Sequence, residues 1–86
     1  MELNELENVI KKHDYNKTIE NENIIITLNE PHEMFLNNIN LYNRIQKIIL
    51  NKKENSYILE LYNNQGHKKF SKDLTEVKSL RIYMNL

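Results

Sequence analysis

Asn23-Ile24-Ile25-Ile26-Thr27-Leu28-Asn29 is the stretch that decides the fold. Its apolar run is β-branched and too short for a helix, so it predicts a strand. Three consecutive Ile residues indicate burial on both faces, and we therefore expect this strand to be central in a sheet. Residues 17–20 predict a preceding strand, which a turn at Asn21-Glu22 joins to it.

Residues 2–13 have the pattern of an amphipathic helix. Their apolar positions recur at steps of three and four residues, at Leu3, Leu6 and Ile10, which is the spacing of one helix face. Acidic residues lie near the start and basic residues near the end, an arrangement that suits the helix dipole. We expect the apolar face of this helix to pack on the sheet.

The middle of the chain predicts a hairpin and a tight turn. Residues 41–50 and 57–62 read as two long strands, and the polar residues 51–56 between them predict a hairpin loop. Asn63-Asn64-Gln65-Gly66 is the clearest turn of the chain, because its only Gly can adopt the positive φ that such a turn needs. Residues 67–70 predict a short strand that returns from this turn.

Two segments are less regular. Pro31 can occupy the first position of a helix, so residues 30–40 predict a short helix or an ordered loop. Near the end, Asp73 and Glu76 resemble a capping box, which predicts a helical turn at 73–77, followed by a strand at 79–85.

These elements predict an α+β fold for a single domain of residues 1–86. An N-terminal helix packs on a mostly antiparallel sheet of about five strands. The sequence contains no internal repeat and no linker that would divide it.

The composition indicates the origin of the gene more than a chemistry. The chain has 15 Asn, 11 Ile and 10 Lys but no Ala and no Cys, with one Gly and one Pro. Average domains are rich in Ala and Gly, so this bias indicates an A/T-rich genome, such as that of a low-GC bacterium or its phages. The absence of Cys excludes disulfides and thiolate chemistry, and a single Gly cannot form a Gly-rich phosphate loop.

The remaining residues show no catalytic or metal-binding motif. No Ser lies in a nucleophile-elbow pattern, and His13, His32 and His67 have no metal-ligand spacing. We therefore predict a protein that is not an enzyme and that holds no metal or cofactor. The chain has neither a secretory signal nor an apolar run of membrane-helix length, which predicts a cytoplasmic protein without a membrane partner.

Acidic residues around an apolar anchor predict a protein-binding surface. The acidic residues bracket the two early strands and the segment around Pro31, where Phe35 would be exposed in an irregular loop. The predicted partner-binding residues are Glu20, Glu22, Glu30, Glu33 and Phe35. In the alternative interpretation, Phe35 fills the edge of the core.

Basic residues in the second half predict an alternative function in nucleic-acid binding. The net charge is −5 in residues 1–42 and +5 in residues 43–86, and aromatic residues lie between the basic ones. Bases stack on aromatic rings while Lys and Arg neutralise phosphates. The candidate residues are Arg44, Lys52, Lys53, Lys68 and Lys69. A homodimer of unknown role is a third alternative, because exposed edge strands and complementary charges favour self-association.

The opening residues resemble a known family. Met1-Glu2-Leu3-Asn4-Glu5-Leu6, followed by Ile10-Lys11-Lys12 and Asp14-Tyr15, is similar to the start of one of the small anti-CRISPR inhibitors carried by prophages of low-GC bacteria. The resemblance covers residues 1–15 and implies a non-catalytic inhibitor that binds an RNA-guided nuclease. Our leading hypothesis is therefore a phage or mobile-element protein that binds and inhibits a host protein, with a CRISPR effector nuclease as the implied target.

Overall fold

The computed structural model describes residues 1–84, which form one α-helix and six strands. The helix α1 is Leu3–Ile10. The strands are β1 Tyr15–Glu20, β2 Asn23–Leu36, β3 Asn40–Lys52, β4 Tyr57–Asn63, β5 Lys68–Asp73 and β6 Leu80–Met84, and a 3₁₀ turn at Leu74–Glu76 precedes β6. All strand pairs are antiparallel. The predicted α+β class is confirmed, but the sheet has six strands where about five were predicted.

The strand β2 is interior along its length. The strands follow the order β1-β2-β3-β4-β5, and β6 also pairs with β2. Residues 23–28 of β2 pair with β1 and residues 32–36 pair with β6, while β3 lies on the other side of both segments. The strands β1 and β6 therefore lie end to end along the same side of β2. The prediction of a central strand is confirmed, although Ile25 faces away from the core and is only half-buried.

The predicted helix or loop near Pro31 was wrong, because this segment is the second half of β2. The register between β2 and β3 shifts between Thr27 and His32 and again between His32 and Met34. Pro31 lies in this bulge, beyond the residues that pair with β1 and before those that pair with β6. Its missing N–H therefore removes no ladder hydrogen bond, and the bulge bends a strand that stays continuous.

The chain returns from β2 to β3 through Asn37-Asn38. Both residues have positive φ, at 53° and 56°, a conformation that Asn tolerates better than most residues. The Asn37 Oδ1 atom accepts hydrogen bonds from the backbone N–H groups of Lys78 at 2.6 Å and Ser79 at 3.2 Å. One side chain thus joins the β2–β3 turn to the segment that leads into β6.

The other predicted turns are present. Asn21-Glu22 joins β1 to β2 with positive φ at both residues, and Gly66 has φ 84° in the turn between β4 and β5. The helical turn predicted at 73–77 is the 3₁₀ turn, where an Asp73 carboxylate oxygen accepts from the Thr75 backbone N–H at 3.0 Å. The strand predicted at 79–85 is β6, and residue 85 lies outside the described residues.

The helix α1 packs on the core side of the sheet and is shorter than the predicted 2–13. Leu6 and Ile10 are buried, and a salt bridge of 3.0 Å from Lys17 to Glu7 joins β1 to the helix. The sheet contributes alternate side chains of its inner strands to the same core, including Ile26, Leu28, Ile45, Ile48, Leu50, Leu59 and Leu61. Within residues 1–84, no helix has the length and apolar character needed to cross a membrane.

Candidate interaction surface

Three of the exposed large apolar side chains lie around the half of β2 that pairs with β6. Among residues 1–83, the large hydrophobic side chains that are exposed are Ile39 at 77 %, Leu41 at 51 %, Tyr83 at 45 % and Ile19 at 64 %. The first three belong to the β2–β3 turn, the start of β3 and the end of β6, whereas Ile19 lies on β1.

The strand register places Leu41 and Tyr83 on the face of the sheet that carries Phe35, and Ile39 lies in the adjoining β2–β3 turn. Phe35 on β2 pairs with Leu41 on β3 and with Arg81 on β6, while Glu33 pairs with Tyr83. Paired residues share a face of the sheet, and this face is opposite to the one that buries the alternate residues of β2. We call the surface formed by Phe35, Ile39, Leu41, Arg81 and Tyr83 the end patch.

The end patch combines apolar and charged groups. Phe35 is half-buried between its two neighbouring strands, and Arg81 is exposed beside it. The salt bridges in the described part of the chain are Lys17–Glu7 and Lys68–Glu60, so Arg81 has no carboxylate within 4.0 Å there. Tyr and Arg around an apolar centre are typical of the residues that dominate protein–protein binding.

The acidic residues predicted to bind a partner do not form one rim. Glu20 and Glu22 lie at the β1–β2 turn, at the end of β2 opposite to Phe35, and Glu30 lies in the bulge. Glu33 alone is close to Phe35, on the same face and two residues away. The structure therefore brings together Glu33 and Phe35, and it places Phe35 on a strand where an irregular loop was predicted.

The basic residues predicted to bind nucleic acid form two groups. Arg44 lies beside the β4–β5 turn, since its carbonyl accepts from the Asn64 N–H at 2.8 Å, and this brings it near Lys68 and Lys69. Lys52 and Lys53 lie at the other end of β4, in the β3–β4 hairpin. Seven residues of β4 separate the groups, which corresponds to about 20 Å along the strand.

A hydrogen-bond network around Glu60 neutralises part of the positive charge of the group formed by Arg44, Lys68 and Lys69. The half-buried Glu60 accepts from Asn51 Nδ2 at 2.6 Å and from the Tyr62 hydroxyl at 3.3 Å, and it forms a salt bridge of 3.4 Å with Lys68. Burial and the Glu60 carboxylate raise the pKa of the Tyr62 hydroxyl. Lys68 is therefore already partly neutralised within the chain.

A cleft of about 420 Å³ lies between the α1–β1 connection and the β2 bulge. Its two imidazole rings, of His13 and His32, are in edge contact with centroids 4.9 Å apart. The His32 Nδ1 atom lies 3.2 Å from the Tyr83 carbonyl oxygen, and only 4 % of His32 is exposed. Burial lowers the pKa of the His13 imidazole, and electrostatic repulsion from His32 and Lys12 lowers it further. The cleft also contains Asp14, Asn29 and Glu30.

The His, Asp and Glu side chains of the cleft are not grouped as metal ligands. Within residues 1–84, no group of three or more His, Asp or Glu side chains is placed to hold a metal ion. The chemistry that the cleft shows is a packed pair of imidazoles, with Asp14 and Glu30 elsewhere in its lining.

Sequence reasoning missed most of the end patch and the contact between the two imidazoles. Ile39 carried a usable signal, because it is an isolated apolar residue within an Asn-rich turn. No sequence signal indicated the positions of Arg81 and Tyr83 or the contact between His13 and His32, because these depend on which strands become neighbours.

Comparison with known proteins adds no family assignment: no family model, curated protein or solved structure matches the chain.

Proposed function

We propose that this protein is a non-enzymatic binding protein that inhibits a host protein by covering part of its surface with the end patch. The observation that supports this best is the concentration of Ile39, Leu41 and Tyr83, all exposed, around Phe35. Large contiguous apolar patches are rare on soluble proteins, and they often mark interaction sites.

The end patch is also held in a fixed conformation. Phe35, Leu41, Arg81 and Tyr83 lie on paired strands, and the turn that carries Ile39 is joined to the approach of β6 by Asn37. A preformed surface loses little conformational entropy on binding, so more of its contact energy contributes to affinity.

The proposed source is a phage or another mobile element, and the proposed target class is an RNA-guided nuclease. The biased composition supports the source, and the resemblance of residues 1–15 supports the target class. That resemblance lies mainly in α1, whose apolar face packs on the core. The end patch is therefore the surface that we expect to contact the target.

The test is inhibition of purified RNA-guided nucleases by matched variants. Ile39→Lys and Ile19→Lys are the same substitution at two exposed positions, one in the end patch and one on β1. We expect Ile39→Lys and Leu41→Lys to raise the inhibitory concentration at least tenfold, because a charge replaces an apolar contact. We expect Ile19→Lys to inhibit like the wild type.

Two results would contradict this proposal. If no nuclease of this class is inhibited or bound, the target class is wrong. If the wild type inhibits and Ile39→Lys, Leu41→Lys and Ile19→Lys inhibit equally well, the end patch is not the binding surface.

A second candidate function is nucleic-acid binding at the corner formed by Arg44, Lys68 and Lys69. The observation in its favour is that Tyr62 lies between Lys47 and Lys68 in the strand ladder. Salt titration of binding to single- and double-stranded DNA and RNA tests it, since phosphate contacts weaken steeply with salt. Lys69→Gln should weaken binding more than Lys53→Gln at the opposite end, and an absence of binding at low salt would exclude this function.

A further inference from the structure

Among the described residues, three strands have a side that pairs with no other strand: β5 on one side of the sheet, and β1 and β6 on the other. An unpaired strand exposes a row of backbone N–H and C=O groups to which another chain can add. Natural proteins protect such strands with charged side chains, including charges that point inward.

The strand β5 is well protected. Its sequence has exposed Lys68, Lys69 and Lys72 in six residues. Lys72 pairs with the buried Leu59 and therefore lies on the core side of the sheet. An incoming strand would have to desolvate these charges.

The strand β1 carries protecting charges as well, whereas β6 carries only Arg81. β1 has Lys17 and Glu20 within six residues, and Lys17 is held by Glu7 of α1. The sequence of β6, Leu80-Arg81-Ile82-Tyr83-Met84, has a single charge among β-favouring residues. Of the three strands, β6 is therefore the one best suited to accept another strand.

We propose that β6 pairs antiparallel with β6 of a second copy of this chain, so that the two sheets become continuous across a two-fold axis. The axis passes beside Ile82, the middle residue of β6, so that all five residues of the strand pair. This register places Arg81 opposite Tyr83 of the second copy, and Tyr83 opposite Arg81 of the second copy.

The complementarity of these two residues identifies the occupant as a second copy. Arg81 has no carboxylate within 4.0 Å in the described part of the chain, and Tyr83 is 45 % exposed. A guanidinium beside an aromatic ring is a favourable contact. Because the two β6 strands run in opposite directions, the Arg81–Tyr83 contact forms twice, once on each side of the axis. An isologous interface requires this kind of self-complementarity.

The dimer is distinct from the proposed function and leaves most of the end patch available. Leu41, Phe35 and Arg81 are neighbours across three strands of one sheet. Pairing at β6 adds Tyr83 of the second copy next to Arg81, on the same face of the continuous sheet. Ile39 and Leu41 stay exposed and are duplicated. Five paired residues form a contact at the small end of specific interfaces, so we expect a reversible dimer.

Sedimentation equilibrium of the full chain over a concentration series up to about 1 mM, the range of weak association, tests the proposal. We expect the average mass of the wild type to rise from that of the 10.4 kDa chain toward twice that value. Tyr83→Lys places a like charge opposite each of the two Arg81 residues, and we expect the dissociation constant to rise about tenfold. Ile19→Lys, an equivalent new charge on β1, should leave it unchanged.

A compensating variant makes the register testable. Arg81→Glu combined with Tyr83→Lys places opposite charges face to face across the axis, so the double variant should recover the dimer that Tyr83→Lys loses. Circular dichroism and urea unfolding of each variant confirm that the chain is folded.

The proposal is overturned if the wild type remains monomeric over the whole range, if Tyr83→Lys dimerises like the wild type, or if the double variant fails to recover. Leu41→Lys separates the two proposals, because it should weaken target binding and leave the dissociation constant of the dimer unchanged.

Discussion

Replacing Asn37 by Ala should destabilise the protein far more than the same substitution at its neighbour Asn38. The Asn37 Oδ1 atom accepts from the backbone N–H groups of Lys78 and Ser79, and its Nδ2 donates to the Glu76 carbonyl at 3.3 Å. These contacts bridge about forty residues of sequence and fix the approach of β6 to the β2–β3 turn.

The expected loss follows from the contacts. Each of the two backbone hydrogen bonds contributes about 1 kcal/mol, and Ala in a left-handed conformation costs about 1 kcal/mol more than Asn. Asn37→Ala should therefore lower the free energy of unfolding by about 3 kcal/mol. Asn38 has nearly the same φ, 56° against 53°, but no side-chain hydrogen bond is found for it, so Asn38→Ala should lose about 1 kcal/mol.

Urea unfolding followed by circular dichroism measures both losses. The difference of about 2 kcal/mol corresponds to a shift in Tm of about 8–16 °C for a chain of this size. Asn37→Asp keeps the acceptor oxygen and should recover part of the loss. Equal losses at Asn37 and Asn38, within about 0.5 kcal/mol, would refute the argument, because they would show that turn strain and not the bridge determines the effect.

Three further predictions concern a turn and two titrating groups. Gly66→Ala should cost about 1 kcal/mol in urea unfolding through its positive φ alone, because an added Cβ would meet no atom within 4 Å; a much larger loss would show a steric clash. The His13 imidazole should titrate below 6.5 in NMR, and His32→Gln should move its pKa back toward 6.5. Since the folded pKa is below the unfolded one, His13 contributes stability above about pH 6.5 that is lost as the pH falls through the folded pKa. The Ser56 hydroxyl, with help from Thr75, lowers the pKa of the Asp73 carboxyl, so Ser56→Ala should raise that pKa in carboxyl NMR titrations. Asp73→Asn should remove stability at neutral pH, and its difference from the wild type should disappear as the pH falls through the folded pKa of Asp73; a difference that persists below that pKa would contradict the linkage.

The sequence predicted correctly those elements whose conformation is determined by residues close together in the chain. The spacing of Leu6 and Ile10 predicted α1, and the only Gly predicted the turn after β4, where φ is indeed positive. The bulge at Pro31 could not be predicted in the same way. Its cause is that β2 changes neighbours there, from β1 to β6, so Pro31 needs no ladder partner.

The candidate surfaces were less predictable than the elements. Of the residues predicted to bind a partner, Phe35 lies in the end patch and Glu33 beside it, while Glu20, Glu22 and Glu30 lie elsewhere. Arg81 and Tyr83 reach the end patch only because β6 pairs with residues about fifty positions earlier. No window of sequence contains that pairing.

The sequence by itself determined an α+β chain with an amphipathic opening helix, β-rich segments and fixed turns, because periodicity and positive-φ residues act over a few neighbours. Only the tertiary structure decided that β1 and β6 share one side of β2, that His13 contacts His32, and that Leu41 and Tyr83 lie on the face that carries Phe35. The physical reason is that strand pairing is decided by burial of the whole core at once. Residues that are distant along the chain become neighbours only when the strands that carry them pair in the complete sheet.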